Sequence, residues 1–266
     1  MQKVINALEM NICEKRKLLN EKQTTIDGEL RIDLTQIQSR QMKINYAIIR
    51  ETGRRSNNED SVKVISKPDE SRWLGVVCDG MGGHAMGEVA SETVCNAVCD
   101  YWLRSNNEDS VVKARRACRS ASAKLDERSF GMNHVQMGTT LVMASIEGDT
   151  ITITHCGDSR CYLLRDGEVV YQTRDHISDS YGWEIVSKCF FTYKPEAAVP
   201  DIALFEIKSG DRILLCSDGL YKSMPSEILK ARMMDDKSPE ELLDVFAFLC
   251  EKNGDDNYTA ILAIIE

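Results

Sequence analysis

The sequence predicts an α+β fold built mainly on antiparallel sheet. Three observations lead there: strand-like runs come in groups, helical stretches come in pairs between those groups, and tight-turn signals separate consecutive strands. From Lys43 the runs "INYAIIRE", "SVKVIS" and "RWLGVVC" come first. Two helical stretches follow over 86–104 and 108–129, where Val89, Val94, Val98 and Trp102 recur at helical spacing. Strands are expected over 138–146, 150–156, 159–165 and 168–172, with "EGD" and "RDG" as the turns of two hairpins. The stretch 175–202 carries little pattern. "IALFEI", the turn "KSGD" and "RILLCS" read as a further hairpin, and helices over 225–234 and 239–252 precede a last strand, "YTAILAII". A doubly wound parallel sheet would alternate strand and helix one by one, and this chain does not.

Residues 1–42 differ in texture. Ile5, Leu8, Ile12 and Leu19 share one face of a helix, and the pattern breaks at Gly28. A short helix cannot bury that face alone. The expectation is a mainly helical N-terminal extension, packed against the main domain at 43–266 and supplying no catalytic group. A docking or dimerisation role is the other reading.

The 266 residues carry a net charge of −9, which makes nucleic acid an unexpected partner. No apolar run approaches the ~20 residues needed to cross a bilayer. The N-terminus lacks the apolar core of a secretory signal, so the expected location is the cytoplasm, with no membrane partner. Ten cysteines without a CxxC pair, and only four histidines, argue against a structural zinc site and for reduced, buried thiols.

The acidic residues carry the functional signal. Asp79 ends the apolar run "WLGVVC" and opens the stretch "DGMGGHAMGEVAS"; Asp218 ends "RILLCS"; Asp158 follows "ITITHCG"; Asp256 precedes the final strand; Glu59 and Asp60 lie between the first two strands. Any one of these alone is a turn residue. Together they recur at strand ends, where loops can gather them on one edge of a sandwich. Converging carboxylates repel one another, and hard divalent cations remove that repulsion. An all-oxygen set favours Mg²⁺ or Mn²⁺ over zinc.

These stretches resemble the metal-dependent serine/threonine phosphatases of the PPM (type 2C) family in their bacterial form. The resemblance rests on "GRRSNNEDS", "DGMGGHAMGEVAS", "MGTTLV", "GDSRCYLLRDG", "QTRDH", "LLCSDGL" and "DDNYTAIL", seven motifs in the family's order across most of 43–266. It implies an αββα sandwich, two central antiparallel sheets flanked by helix pairs, with a metal centre at one end. It implies that Asp79 bridges two Mn²⁺ or Mg²⁺ ions, that the Gly80 carbonyl ligates one, and that Asp218 and Asp256 complete the other. Glu59 and Asp60 match an acidic pair that binds an ion or its water, without saying which does so directly. Arg55 matches the arginine that grips substrate phosphate, a task suited to its planar fork. Asp158 matches a ligand of a third, weaker ion, and Asn257 the residue that orients the Asp256 loop. The implied reaction is hydrolysis of phosphoserine and phosphothreonine in proteins by a hydroxide bridging the two ions. The implied partners are phosphorylated proteins and an unidentified kinase.

The sequence departs from the family in three places. Met81 stands where many eukaryotic relatives have histidine, and nearby His84 reads as a loop or helix-start residue. Lys222, four residues after Asp218, stands where another aspartate is common and would weaken a third ion site. The flap over 177–202 looks shortened, with "VSKCFF" replacing a threonine–arginine pattern. The short flap, Lys222 and the N-terminal extension motivate a second reading, a catalytically weak signalling module that binds phosphoproteins; a phosphatase of small metabolites is a third.

Overall fold

Ten of the strands pair into two five-stranded antiparallel sheets in the computed structural model, which describes residues 43–68, 71–81, 86–105, 108–180 and 183–266. The expectation for residues 1–42, and His84, lie outside the described residues. Sheet one runs in the order β1 (Ile44–Glu51), β14 (Tyr258–Ile265), β13 (Arg212–Cys216), β7 (Arg160–Arg165), β8 (Glu168–Gln172). Sheet two runs β12 (Asp201–Glu206), β6 (Thr150–Cys156), β5 (Leu141–Glu147), β3 (Arg72–Asp79), β2 (Asp60–Lys67). Their inner faces form one core, in which Trp73, Val77, Ile146 and Ile153 of sheet two meet Leu163, Leu215 and Ile261 of sheet one. Each fully buried side chain of this size contributes roughly 1.5–3 kcal/mol.

Five α-helices among the described residues cover the outer faces. α1 (Gly87–Arg104) and α2 (Ser110–Phe130) lie on sheet two, where Val94, Val98, Trp102, Ala121 and Leu125 pack against Leu74, Val76 and Met143. The Asp109 carboxylate caps α2 by accepting from the amides of Val111 and Val112. α3 (Asp218–Tyr221), α4 (Ser226–Met233) and α5 (Pro239–Asn253) lie on sheet one through Leu220, Leu229, Met233, Leu242 and Phe246. α5 opens with proline at its first position and a reciprocal Ser238–Glu241 capping box. The layers are therefore helices, sheet, sheet, helices.

Both hairpins expected at "EGD" and "RDG" form, as β5–β6 and β7–β8. In the second, Asp166 and Gly167 both take positive φ, 51° and 80°, as a type I′ turn requires. The hairpin expected around "KSGD" does not form. β12 pairs with β6 in sheet two, while β13 pairs with β7 and β14 in sheet one. The turn is a crossing between sheets, anchored by Asp211. This fully buried carboxylate accepts from Arg165 Nε and Nη2 at 2.7 Å each and from the Lys208 amide at 2.8 Å.

The strand expected over 138–146 is interrupted. Gly138–Thr139 (β4) pairs with Phe190–Phe191 (β11), and Thr140 turns its amide to the Asp79 carbonyl at 2.9 Å before β5 begins. The poorly patterned stretch also holds a small hairpin of β9 (Ile177–Ser180) and β10 (Trp183–Val186). All nine cysteines among the described residues are free and buried, as the thiol reading expects.

Candidate metal and phosphate site

The acid-bearing ends of β3, β6, β13 and the approach to β14 open onto one cleft of ≈ 790 Å³. Arg55, Glu59, Asp79, Gly80, Asp158, Asp218 and Asp256 line it, along with Met81, Cys189, Lys194 and Asn257. Asp60 stands behind this lining. It begins β2, faces Asp79 across the β2–β3 ladder and is almost wholly buried.

Local backbone chemistry fixes each acid. Asp79 is held on three sides: Thr139 Oγ1 donates to its carbonyl at 2.8 Å, the Thr140 amide donates there at 2.9 Å, and its own amide donates to Thr140 Oγ1 at 3.1 Å. Gly80 must lack a side chain, because a Cβ there would sit 2.3 Å from the Gly87 carbonyl oxygen and 2.6 Å from that of Glu59. Gly157 takes φ +124°, and a Cβ there would sit 2.6 Å from that of Thr140, so the turn presenting Asp158 also needs glycine. Asn257 ties the first loop down: its Oδ1 accepts from the Glu59 amide at 2.9 Å, and its Nδ2 donates to the carbonyls of Thr52 and Asn57 at 2.8 Å each. It therefore orients the Arg55–Glu59 loop, whereas Asp256 Oδ1 is held by the Asn257 amide at 2.8 Å.

Crowding shows in the proton affinities. Burial, followed by the charges of Asp60, Asp218 and Asp158, pushes the Asp79 carboxyl well above the usual range. Burial pushes Asp60 to about 6, against the opposing hydrogen bond of Ser217, whose Oγ donates to its Oδ2 at 2.8 Å. Asp158 reaches about 6 through burial and the charge of Asp218, opposed by Lys222. Glu59 is raised by burial and by Glu88, with Arg55 opposing. Protein groups answer part of this excess charge. Arg55 Nη2 lies 2.8 Å from Asp256 Oδ2, with its Nε donating to the Asp255 carbonyl at 3.1 Å. Lys222 Nζ lies 2.6 Å from Asp218 Oδ2 and 4.0 Å from Asp158 Oδ2.

The donor set, all oxygen and short of counter-charge, fits hard divalent ions over most of the cleft. The Asp158–Asp218 corner fits one poorly, because an ammonium already stands there. Cys189, the thiol on the cleft wall, is pushed up to about 11 by burial and is no thiolate nucleophile near neutral pH.

A second cluster lies at the base of the β9–β10 hairpin. Among the described residues, His155, His176 and Asp201 form the only group of metal-ligating side chains whose donor atoms all lie within 4.8 Å of one another. It is built as a clamp. The imidazoles stack with centroids 4.5 Å apart and planes 5° from parallel, so their in-plane lone pairs do not converge on one ion. Lys188 Nζ already lies 2.9 Å from Asp201 Oδ1. His176 Nδ1 accepts from the Gly157 amide at 3.1 Å, which joins the clamp to the turn carrying Asp158. Sequence reasoning missed this cluster, since nothing local relates its three members.

Comparison with known proteins extends the geometry. The protein phosphatase 2C family profile matches residues 51–263. The serine/threonine protein phosphatase PstP of Mycobacterium tuberculosis (strain H37Rv) is 31% identical over 228 residues, 79% of this chain and 42% of PstP. The chain thus spans less than half the length of the mycobacterial relatives it matches. The serine/threonine phosphatase stp of Listeria monocytogenes (EGD-e) is 28% identical over 230 residues, 78% of this chain and 90% of stp. Among solved structures, the PstP catalytic domain in complex with two manganese ions superposes with a TM-score of 0.72 at 29% identity, covering 84% of this chain and 99% of that one. The S. agalactiae serine/threonine phosphatase gives 0.73 at 25% identity, covering 84% and 100%.

Proposed function

Because the chain belongs to the protein phosphatase 2C family, we propose that it hydrolyses phosphoserine and phosphothreonine esters in proteins, using two divalent ions held in the acidic cleft. The observation that carries this reading is the convergence of Asp79, Asp218, Asp256 and Glu59 on one cleft together with Arg55. Asp79 and the Gly80 carbonyl would hold ions at the end of β3, and Asp218 and Asp256 would complete the set. Glu59 faces the cleft, whereas Asp60 acts from behind through its charge. The manganese ions of the PstP catalytic domain support Mn²⁺ as a suitable metal. When bound, such ions supply an activated water at neutral pH and neutralise phosphoryl charge.

The chain's own residues do the rest. Arg55, tethered by Asp255 and Asp256, carries a forked donor at the cleft mouth that can turn to phosphate oxygens. The Thr139–Thr140 clamp fixes the Asp79 backbone, and so the origin of its carboxylate, while charge shifts among the phosphoryl oxygens. Met81 lines the cleft and can neither donate nor accept a proton there, so the leaving oxygen takes its proton from another source, water in the cleft being the simplest. Phosphorylated proteins are the proposed substrates, and a kinase that makes them the proposed counterpart. The proposed location is the cytoplasm, on the grounds of buried, free thiols; no helix among the described residues is long and apolar enough to cross a membrane.

The test is turnover of a phosphothreonine peptide by metal-free protein reconstituted with Mn²⁺ or Mg²⁺, beside Asp79→Asn. We expect Mn²⁺-dependent turnover in the parent and a loss of at least a hundredfold in the variant, with the far-UV spectrum unchanged. Tight binding of Mn²⁺ without turnover of any phosphopeptide would instead favour a phosphoprotein-binding module. Turnover of small phosphate esters alone would favour a metabolite phosphatase.

A further inference from the structure

We infer that Lys222 is a built-in cation: its ammonium takes the position between Asp158 and Asp218 that a further divalent ion would otherwise occupy, so the cleft holds two such ions and excludes a third. This rests on the reading above that the cleft acids bind divalent metal.

The ammonium is placed by the fold. Lys222 follows Asp218 by one helical turn, and its amide donates to the Asp218 carbonyl at 2.9 Å, so α3 itself points the side chain back at the carboxylate. Nζ stands 2.6 Å from Asp218 Oδ2 and 4.0 Å from Asp158 Oδ2. Asp158 is brought to the same turn from the other side. The neighbouring Tyr221 is buried, and its hydroxyl donates to the Asp158 carbonyl at 3.1 Å. The Arg160 guanidinium, bonded to Asp175 at 2.9 and 2.7 Å, lies 3.6 Å from the centre of the Tyr221 ring. Asp158, Tyr221, Lys222 and Asp218 therefore form one braced unit.

A divalent ion binds carboxylate oxygens at roughly 2.0–2.6 Å. An ion sharing Asp158 and Asp218 would stand within a few ångströms of Nζ, and both repulsion and the loss of the Lys222–Asp218 bond would oppose it. Among the described residues no ion pair engages the Asp79 carboxylate, and the cation on Asp256 is Arg55, which the reading above turns to substrate phosphate, so the other positions of the cleft keep their capacity. The consequence is a different metal requirement: the corner carries one positive charge against its two carboxylates at any metal concentration.

The test is Mn²⁺ stoichiometry, measured by calorimetry and by electron paramagnetic resonance of free Mn²⁺, on metal-free parent protein, Lys222→Gln, Lys222→Asp and Lys222→Asp/Asp158→Asn. The Lys222 side chain is 56% exposed, so these changes are compatible with folding. The parent should bind two ions. Lys222→Asp should bind a third, more weakly, and Asp158→Asn in that background should abolish it; Lys222→Gln should show a trace of the third. A parent that binds three ions, or a Lys222→Asp variant that still binds two, overturns the inference while leaving the metal centre standing. A parent that binds none overturns both.

Discussion

Replacing Asp158 with asparagine should make the metal-free protein more stable at neutral pH, a direction opposite to most buried substitutions. The Asp158 carboxyl is shifted from the ordinary 3.8 to about 6 by burial and by Asp218. Its folded value is raised, so the folded state binds the proton more tightly than the unfolded state. Ionising it therefore costs stability, with the cost absent below pH 3.8 and complete above pH 6. At 1.36 kcal/mol per pH unit, the shift amounts to about 3 kcal/mol at pH 7, roughly half that at pH 5, and nothing by about pH 4. Asparagine keeps the shape without the charge. In EDTA, urea denaturation should show Asp158→Asn more stable than the parent by up to about 3 kcal/mol at pH 7, with the gap closing as pH falls to 4. Comparing the two proteins cancels titrations that Asp158 does not influence, above all that of His155, which burial lowers and which therefore destabilises on acidification; Asp79, whose carboxyl the Asp158 charge helps to raise, shifts in the same stabilising direction. Saturating Mn²⁺ should also shrink the gap, because cations would then neutralise the crowded acids. A variant that is less stable than the parent at pH 7, or a gap independent of pH, would refute the view that uncompensated carboxylate charge strains this cleft.

Three further outcomes follow from the contacts above. Asn257→Ala removes the bonds to Thr52, Asn57 and Glu59 and should cost about 1–3 kcal/mol in urea denaturation; because Arg55 rides on that loop, KM for a phosphopeptide should rise more than kcat falls. Asp211→Asn replaces the buried carboxylate that takes two bonds from Arg165 with a neutral amide offering one acceptor, and should cost about 1.5–3 kcal/mol by the same measurement, with Mn²⁺ stoichiometry unchanged. A chain beginning at Lys43 should fold, bind Mn²⁺ and turn over a small aryl phosphate like the full chain, since the family match begins at residue 51; retained metal binding with lost turnover would place residues 1–42 in the active site.

What the sequence made legible was whatever neighbouring residues decide. Each acid could be found because it ends a strand or opens a loop, and the β5–β6 and β7–β8 hairpins because two-residue turns leave little choice of partner. Pairing decided at a distance was hidden. "IALFEI" and "RILLCS" look like one hairpin, yet their partners are β6 on one side and β7 and β14 on the other. A buried Arg165–Asp211 pair holds the crossing, and its two halves lie far apart in sequence. The segment over 177–202 failed for another reason: β9, β10 and β11 are too short for alternation to register, and β11 is fixed by register with Gly138 and Thr139. The site divides along the same line. That Lys222 reaches Asp218 is written into the spacing of one helical turn. That Asp158 arrives at the same ammonium is not, because it depends on the Tyr221 hydroxyl meeting a carbonyl from the β6 loop and on a glycine there at φ +124°. Charge balance at that corner is thus a property of tertiary packing, and a lysine that looks locally like a defect in an acidic motif becomes, in three dimensions, one of its cations.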